Sequence, residues 1–348
     1  MRVKLKDITK FSKGTQINGK NLIDDGAYSY LNGGINPSGK WNEFNVAENT
    51  VTISEGGNSS GYVNYMNEAF WCGAHCYYLY DGPKNSKYLY YALKSQQERL
   101  FRIRSGACMP NIKKSDLGNF IIEYEEDETR QEEVVKVLEK CELLIEDYNK
   151  KLALLDEAVR ARFVEMFGDP VINSCQFPVQ PMTDICDIID GDRGKNYPKS
   201  EEILDDGYCL FLNAKNVTQK GFDFENCNFI TREKDDALRN GKLSRGDVVL
   251  TTRGTVGNLA YYSKNVPYEN IRINSGMVIL RMNRSILNEI YFIELFKMKL
   301  SDIKEKIASG SAQPQLPIST MNKIILMIPP LELQNQFASF VQEIDKSR

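Results

Sequence analysis

With only one histidine in 348 residues, His75, and no nucleotide-binding loop, the chain is a poor fit to most enzyme classes. No Gly-rich loop runs into Lys-Ser/Thr, which excludes an ATP motor of that type. Nor is there an Asn/Asp-Pro-Pro-Tyr/Phe stretch of the kind that holds a target base for amino-methylation. No apolar run approaches the ~20 residues of a membrane span, and the polar opening Met1-Arg2-Val3-Lys4-Leu5 has no signal-peptide core behind it. The eight cysteines are scattered over a long chain and do not form a disulfide framework, so a reducing cytosol (cytoplasmic location) is expected. His75, Cys72 and Cys76 fall one ligand short of a zinc set, and no metal is expected. Gly191-Asp192-Arg193-Gly194 is too poor in glycine to cradle a nucleotide.

What is present is a repeat. Gly106-Ala107-Cys108-Met109-Pro110-Asn111-Ile112 returns as Gly310-Ser311-Ala312-Gln313-Pro314-Gln315-Leu316. Leu5-Lys6-Asp7-Ile8 returns as Met182-Thr183-Asp184-Ile185, and Tyr30-Leu31-Asn32 as Phe211-Leu212-Asn213. The loop Thr252 to Gly257 parallels Gly56 to Gly61. A period of roughly 200 residues is domain-sized, too long for a solenoid unit. Aromatic and β-branched runs predict strands over Val51–Ser54, Ala69–Tyr80 and Phe120–Tyr124. Helical spacing predicts helices over Lys87–Arg102 and Ile290–Ile307.

Between the copies, Val134, Leu138, Cys141, Ile145, Tyr148, Leu152, Leu155 and Val159 alternate steps of four and three, a heptad seam. The helix predicted from Thr129 to Phe167 would be ~58 Å long at 1.5 Å per residue and stops at Gly168-Asp169-Pro170. A shorter amphipathic helix follows Pro329-Pro330, with Phe337, Val341 and Ile344 on its apolar face. The net charge of −3 is uneven: 13 acidic against 6 basic residues lie between Glu123 and Arg160, leaving the remainder net positive. An acidic rod is therefore compatible with globular parts that meet a polyanion.

The polar loops suit recognition. The first copy offers Lys13, Thr15, Gln16, Asn18, Lys20, Asn32, Asn36, Lys40, Asn58, Ser59 and Ser60. The second offers Arg193, Lys195, Asn196, Asn213, Lys215, Asn216, Arg253, Thr255 and Asn258. Amides and guanidiniums pair with base edges, while Lys, Ser and Thr hold phosphates. The competing account is that Asn, Gly and Ser simply make turns.

The paired Gly-x-x-x-Pro-[Asn/Gln]-[Ile/Leu] segments, Phe167-Gly168-Asp169-Pro170, and Ile328-Pro329-Pro330-Leu331-Glu332-x-Gln334-x-x-Phe337 closely resemble the specificity subunit of a type I restriction-modification system. The first copy carries only a degenerate form of the last motif, Glu123 to Gln131, without the proline pair. The resemblance implies an α+β fold class: two duplicated target recognition domains of mixed strands and helices, separated by the long heptad helix, which packs antiparallel with the shorter C-terminal helix. The expected boundaries are 1–127, 128–167, 168–330 and 331–348. It further implies that the chain reads a split double-stranded DNA target and is itself no enzyme. Two methyltransferase subunits, supplied with S-adenosylmethionine, and restriction/translocase subunits are the implied partners.

Two other readings stand beside it: a standalone regulatory DNA-binding protein of the same architecture, and a coiled-coil adaptor without DNA affinity. Because the last helix is shorter than the family's usual one, part of the central seam is expected to lack an intrachain partner. The isolated chain should then self-associate at micromolar concentration; a sharp monomeric peak in light scattering would refute this.

Overall fold

Val248–Thr251 is buried at every residue, yet successive side chains enter different cores: Val248 and Leu250 join one, Val249 the other. Its neighbour Met277–Met282 alternates in the same way, Val278 and Leu280 on one side, Met277 and Ile279 on the other. A strand covered on both faces reads as a continuous apolar run, and its two-residue period divides that run between two cores. The four-stranded sheet is thus a middle layer, with helices on one face and a small three-stranded sheet on the other.

The computed structural model describes residues 1–106, 109–308 and 315–348, with backbone only over 301–308. The chain divides into two units, Met1–Tyr148 and Asn149–Arg348. The first contains β1 (Arg2–Lys4), α1 (Leu5–Ile8), β2 (Lys10–Lys13), β3 (Tyr28–Leu31), β4 (Gly39–Trp41), β5 (Thr50–Ser54), β6 (Val63–Met66), β7 (Phe70–Cys72) and β8 (Cys76–Tyr80). Then come α2 (Ser86–Lys94), α3 (Gln97–Arg102), α4 (Lys114–Gly118), β9 (Ile121–Glu123) and the start of α5 (Glu128–Phe167). Its sheets run β2-β8-β5-β6, β4-β3-β7 and β1-β9, with β3 and β7 parallel.

The second unit holds the end of α5, then β10 (Val179–Pro181), α6 (Met182–Ile185), β11 (Cys186–Asp190), β12 (Cys209–Leu212), β13 (Val217–Thr218), β14 (Gly221–Phe222) and β15 (Phe229–Ile230). It continues with α7 (Arg232–Ala237), β16 (Val248–Thr251), β17 (Leu259–Tyr261), β18 (Ile271–Ile273), β19 (Met277–Met282), α8 (Glu289–Ala308), α9 (Ile318–Met321), β20 (Ile325–Met327) and α10 (Leu331–Lys346). Its sheets run β11-β19-β16-β17, β15-β12-β18 and β10-β20, with a β13-β14 hairpin beside them, and again one pair of the small sheet, β12 and β18, is parallel. The second unit therefore repeats the first unit's topology strand for strand, adding the hairpin.

Some local expectations need correction. The helix predicted over Lys87–Arg102 is two helices, because the Gln97 side chain bonds the sheet edge, donating to Gly61 O (2.6 Å) and accepting from Val63 N–H (3.0 Å). The run Ala69–Tyr80 is two strands in different sheets, separated by the turn at Gly73 to His75. Ala107 and Cys108, and Gly310 to Pro314, which belong to the repeated proline segments, lie outside the described residues.

α5 starts on the Asp127 carboxylate, which accepts from Thr129 N–H (2.9 Å), and ends at Gly168 with φ +74°. A side chain at Gly168 would meet Ser174 Oγ at 2.2 Å, so glycine is required there on both counts. The heptad seam is only partly occupied. Leu152 and Leu155 are half-buried and Val159 is buried, but Val134, Cys141, Ile145 and Tyr148 are exposed and Leu138 only half covered. Among the described residues no helix packs the middle of the seam, the part expected to lack an intrachain partner. The packing face instead continues through Phe163 and Phe167, which the heptad count missed. Both rings meet Tyr291 of α8 and Phe337 of α10 at 4.9–5.6 Å between centroids. Arg162 lies over Phe340 (5.9 Å) and Asp156 pairs with Arg348, so α5 and α10 run in opposite directions. Val341 is buried and Ile344 half-buried against the same core.

A buried carboxylate, Asp235, braces the small sheet of the second unit. It pairs with Arg272 of β18 and with Lys242, and the Arg272 guanidinium also donates to Asp235 O (2.7 Å) and Leu238 O (3.0 Å). Burial would push the Asp235 carboxyl up, but its two cations outweigh that and hold it below the ordinary carboxylate range. Its stabilisation is then complete above the unfolded-state value near 3.9 and is lost as pH falls through the lower folded value. Asp235→Ala leaves Arg272 buried and unpaired and should destabilise the second unit by about 3–5 kcal/mol at neutral pH, measured by urea unfolding.

Candidate nucleic-acid interface

Equivalent backbone bonds build the same corner in each unit. After β5, Glu55 N–H donates to His75 O (2.9 Å), and Glu55 O accepts from Ile112 N–H (2.9 Å). After β16, Thr252 N–H donates to Gly276 O (2.8 Å), and Thr252 O accepts from Leu316 N–H (3.0 Å). Gly56 bridges to Asn111 and Arg253 to Gln315. The loops then close alike: Gly61 N–H reaches Ser54 O and Gly257 N–H reaches Thr251 O, both at 2.8 Å. Gly57 and Gly254 share a left-handed φ (+76° and +72°), as do Gly61 and Gly257 (+85° and +86°). By this register Glu55 corresponds to Thr252, Gly56 to Arg253, His75 to Gly276 and Lys13 to Asp190.

In the first unit the corner gathers Lys13, Asn32, Asn58 and Ser59 with Glu55 and His75. Glu55 pairs with Lys13 and lies 3.5 Å from His75 Nδ1. Ser59 Oγ donates to Gly33 O, Asn32 Oδ1 accepts from His75 N–H (3.3 Å), and Asn58 O accepts from Arg104 (3.3 Å). Asn36 is exposed on the same loop as Asn32. A second group lies around β3, β4 and β7. Thr15 N–H bonds Cys72 O and its carbonyl accepts from Trp71 Nε1 (2.7 Å), Gln16 bonds its neighbour Ile17 O, and Asn18 caps the turn carrying Lys20. Lys40 is exposed on β4.

In the second unit Arg193 pairs with Asp190 (3.0 Å) and also donates to Ser275 O (3.3 Å). The loop carrying it is pinned by Asp192, whose buried carboxylate accepts from Gly194 N–H (2.7 Å) and Arg239 N–H (2.8 Å). These backbone donors, with the Arg239 side chain, hold Asp192 below the usual carboxylate range. Asp190, Arg193, Thr252, Arg253 and Gln315 line a cavity of about 250 Å³, floored by Val278 and the segment Leu316 to Ile318. Thr255 and Lys195 are exposed nearby in sequence, Asn196 donates to Ala237 O (2.9 Å), and Asn213 caps the turn that carries exposed Lys215.

Three predicted contacts are instead internal. Ser60 is buried and donates to Glu55 O (2.7 Å). Asn216 is buried and donates to Asp223 O and Asn226 O. Asn258 is buried and donates to Val217 O (2.9 Å). Burial leaves these side chains no surface to offer a base, and a polar group so placed serves the fold through its bonds. Sequence reasoning passed over Glu55 and Asp190 as corner residues and met Gln315 only within the repeated proline segment; the register of the repeat is the signal that brings them together.

A third recurrence concerns glutamines at the helix starts. Gln131 Nε2 donates to Glu125 O (2.7 Å), and Gln334 Nε2 to Pro329 O (2.8 Å), both from buried side chains. Each ties the first turns of its helix to the end of the preceding strand. The acidic segment in the first unit thus keeps the bond that accompanies the proline pair in the second.

Residues 1–156 and 177–348 each match the family described as the type I restriction modification DNA specificity domain. A Mycoplasma genitalium protein assigned to the type I specificity subunits is 28% identical over 353 residues, covering 96% of this chain and 84% of that one. A Mycoplasma pneumoniae protein assigned in the same way is 26% identical over 357 residues, covering 99% and 88%. The crystal structure of a type I restriction-modification system S subunit from M. genitalium shares the fold, with a TM-score of 0.62 at 22% identity, over 100% of this chain and 89% of that one.

Burial separates structural from surface polar groups in a way that can be measured. Asn216→Ala and Asn258→Ala should each lower the stability of the second unit by about 1–3 kcal/mol. Lys195→Ala and Lys215→Ala should change it by no more than about 0.5 kcal/mol in the same urea titrations.

Proposed function

Because this chain belongs to the type I restriction modification DNA specificity family, we propose that it selects a split double-stranded DNA target, one half read by each duplicated domain. A chain of this family is the non-catalytic specificity component. Methyl transfer from S-adenosylmethionine to adenine is the work of two methyltransferase partners, and cleavage that of restriction/translocase partners. The observation that carries the proposal is the doubled corner: two loops braced by the same backbone bonds, each displaying a different set of side chains. A common scaffold with divergent tips is what two different half-sites require.

The chemistry of the exposed polar residues suits DNA. Lys20, Lys40, Lys195 and Lys215, all exposed, would meet phosphates, and the side chains at the strand ends would meet base edges. Two modest interactions on one duplex act together through effective concentration, so neither half needs high affinity alone. The exposed apolar residues of α5, among them Val137, Leu144, Ile145 and Tyr148, each 57–62% exposed, are assigned to partner subunits. A coiled-coil adaptor would account for that helix but leave the doubled corner unused.

Co-expression of the full chain with its methyltransferase partner, followed by long-read mapping of methylated adenines, should give a split motif with a fixed gap. Binding of the purified complex to that motif should weaken steeply with salt, with log K falling about 0.9 per phosphate neutralised for each tenfold rise in salt concentration. No new methylation from a stable complex, or salt-insensitive binding, would overturn the assignment.

A further inference from the structure

We propose that Arg253 is the specificity-determining residue of the second domain, reading a guanine through its guanidinium. We further propose that the first domain has no such contact, because glycine stands at the equivalent position. The inference rests on the DNA-reading role above and deepens it.

Three observations carry it. First, the frame does not need the side chain. Arg253 occupies the position of Gly56, and both are held by the same pattern of backbone bonds, to Gln315 and Asn111 respectively. The corner therefore forms with no side chain there at all. Second, the arginine is unengaged. Each of the other arginines from Arg193 to Arg284 has a carboxylate, carbonyl or aromatic ring as partner. Arg253 is exposed, and among the described residues its guanidinium has none. Third, its base is rigid. Arg253 N–H donates to Gly276 O (3.2 Å), Thr252 is bonded on both sides, and Gly254 turns the chain immediately afterwards with φ +72°. A long flexible cation on a fixed stem loses less freedom on binding than one on a mobile loop.

The neighbours sharpen the assignment. Arg193, which lines the same cavity, is already paired with Asp190, whereas the Arg253 guanidinium has no partner among the described residues. A guanidinium presents two parallel N–H groups, and in the major groove guanine alone offers the matching pair of acceptors, O6 and N7. A phosphate contact would use the same charge but carry no sequence information, which gives the test its discriminating power.

The experiment uses the full chain co-expressed with its methyltransferase partner, comparing the unsubstituted chain with Arg253→Ala, Arg253→Gly and Arg253→Lys. The readout is the base frequency at each motif position among methylated sites. Competition binding of the purified complex to duplexes carrying the mapped motif or its single-base variants gives the same discrimination without catalysis. The expected result is that one guanine position in one half-site becomes degenerate, its discrimination falling about five- to 150-fold, while the other half keeps its full preference. Lysine should fail nearly as badly as alanine, since it lacks the two-pronged geometry. An even loss of binding across all sequences, with the motif intact, would make Arg253 a phosphate contact and overturn the inference. So would unchanged behaviour of all three variants. A split motif from the unsubstituted chain with such a result leaves the DNA-reading role standing; absence of any split motif removes that role and the inference together.

Discussion

One backbone hydrogen bond, made twice, organises both domains. The amide of Ile112 or Leu316 donates to the carbonyl just beyond the central strand, at Glu55 or Thr252. It fastens the segment leading to the last strand, and so to the long helix or α10, onto the edge of the recognition corner. The side chains of the donor residues themselves, Ile112 and Leu316, are buried in their cores, so the bond is backed by apolar packing. A bond between main-chain groups does not depend on side-chain identity. The corner's tips are therefore free to diverge, as Glu55, Gly56 and His75 in one unit and Thr252, Arg253 and Gly276 in the other have done.

The central helix shows how one continuous element can have two characters. Toward its C-terminal end, aromatic rings of α5 pack with Tyr291 and Phe337, and the helix is part of the second unit's core. Toward its N-terminal end it is held to the first unit by polar contacts, such as Tyr91 Oη to Glu142 (2.7 Å), Lys87 with Glu139 (3.9 Å) and Lys84 with Glu128 (3.6 Å). Exposed ion pairs contribute little to stability, whereas buried aromatic clusters contribute much. The exposed apolar residues from Val134 to Leu154 lie between these two differently held ends.

Much of the architecture was legible in the sequence because it rests on periodicity and on residues with special backbone roles. A two-residue period marks strands, a 3.6-residue period marks helices, and Gly168 before Asp169-Pro170 marks a helix end. The repeat was visible wherever side chains are held by a core, as at Leu5 and Met182. The candidate interface was far less legible. Asn216, Asn258 and Ser60 look the same on paper as Asn36 or Lys215, since a polar residue near a glycine serves a turn as readily as a ligand. Only burial separates them. Glu55 and Asp190 carried no local signal, because their importance comes from positions brought together across strands far apart in the chain.

The sequence by itself determined the duplication, the element types, the long helix and its ends, and the absence of the motifs that common catalytic machinery needs. These follow from local chemistry repeated along the chain. Tertiary structure alone decided which polar residues face outward, that Arg253 stands where its counterpart is Gly56, and that the helix packs through Phe163 and Phe167. Each of those depends on strand register and on the match of one surface to another, which no single stretch of sequence contains.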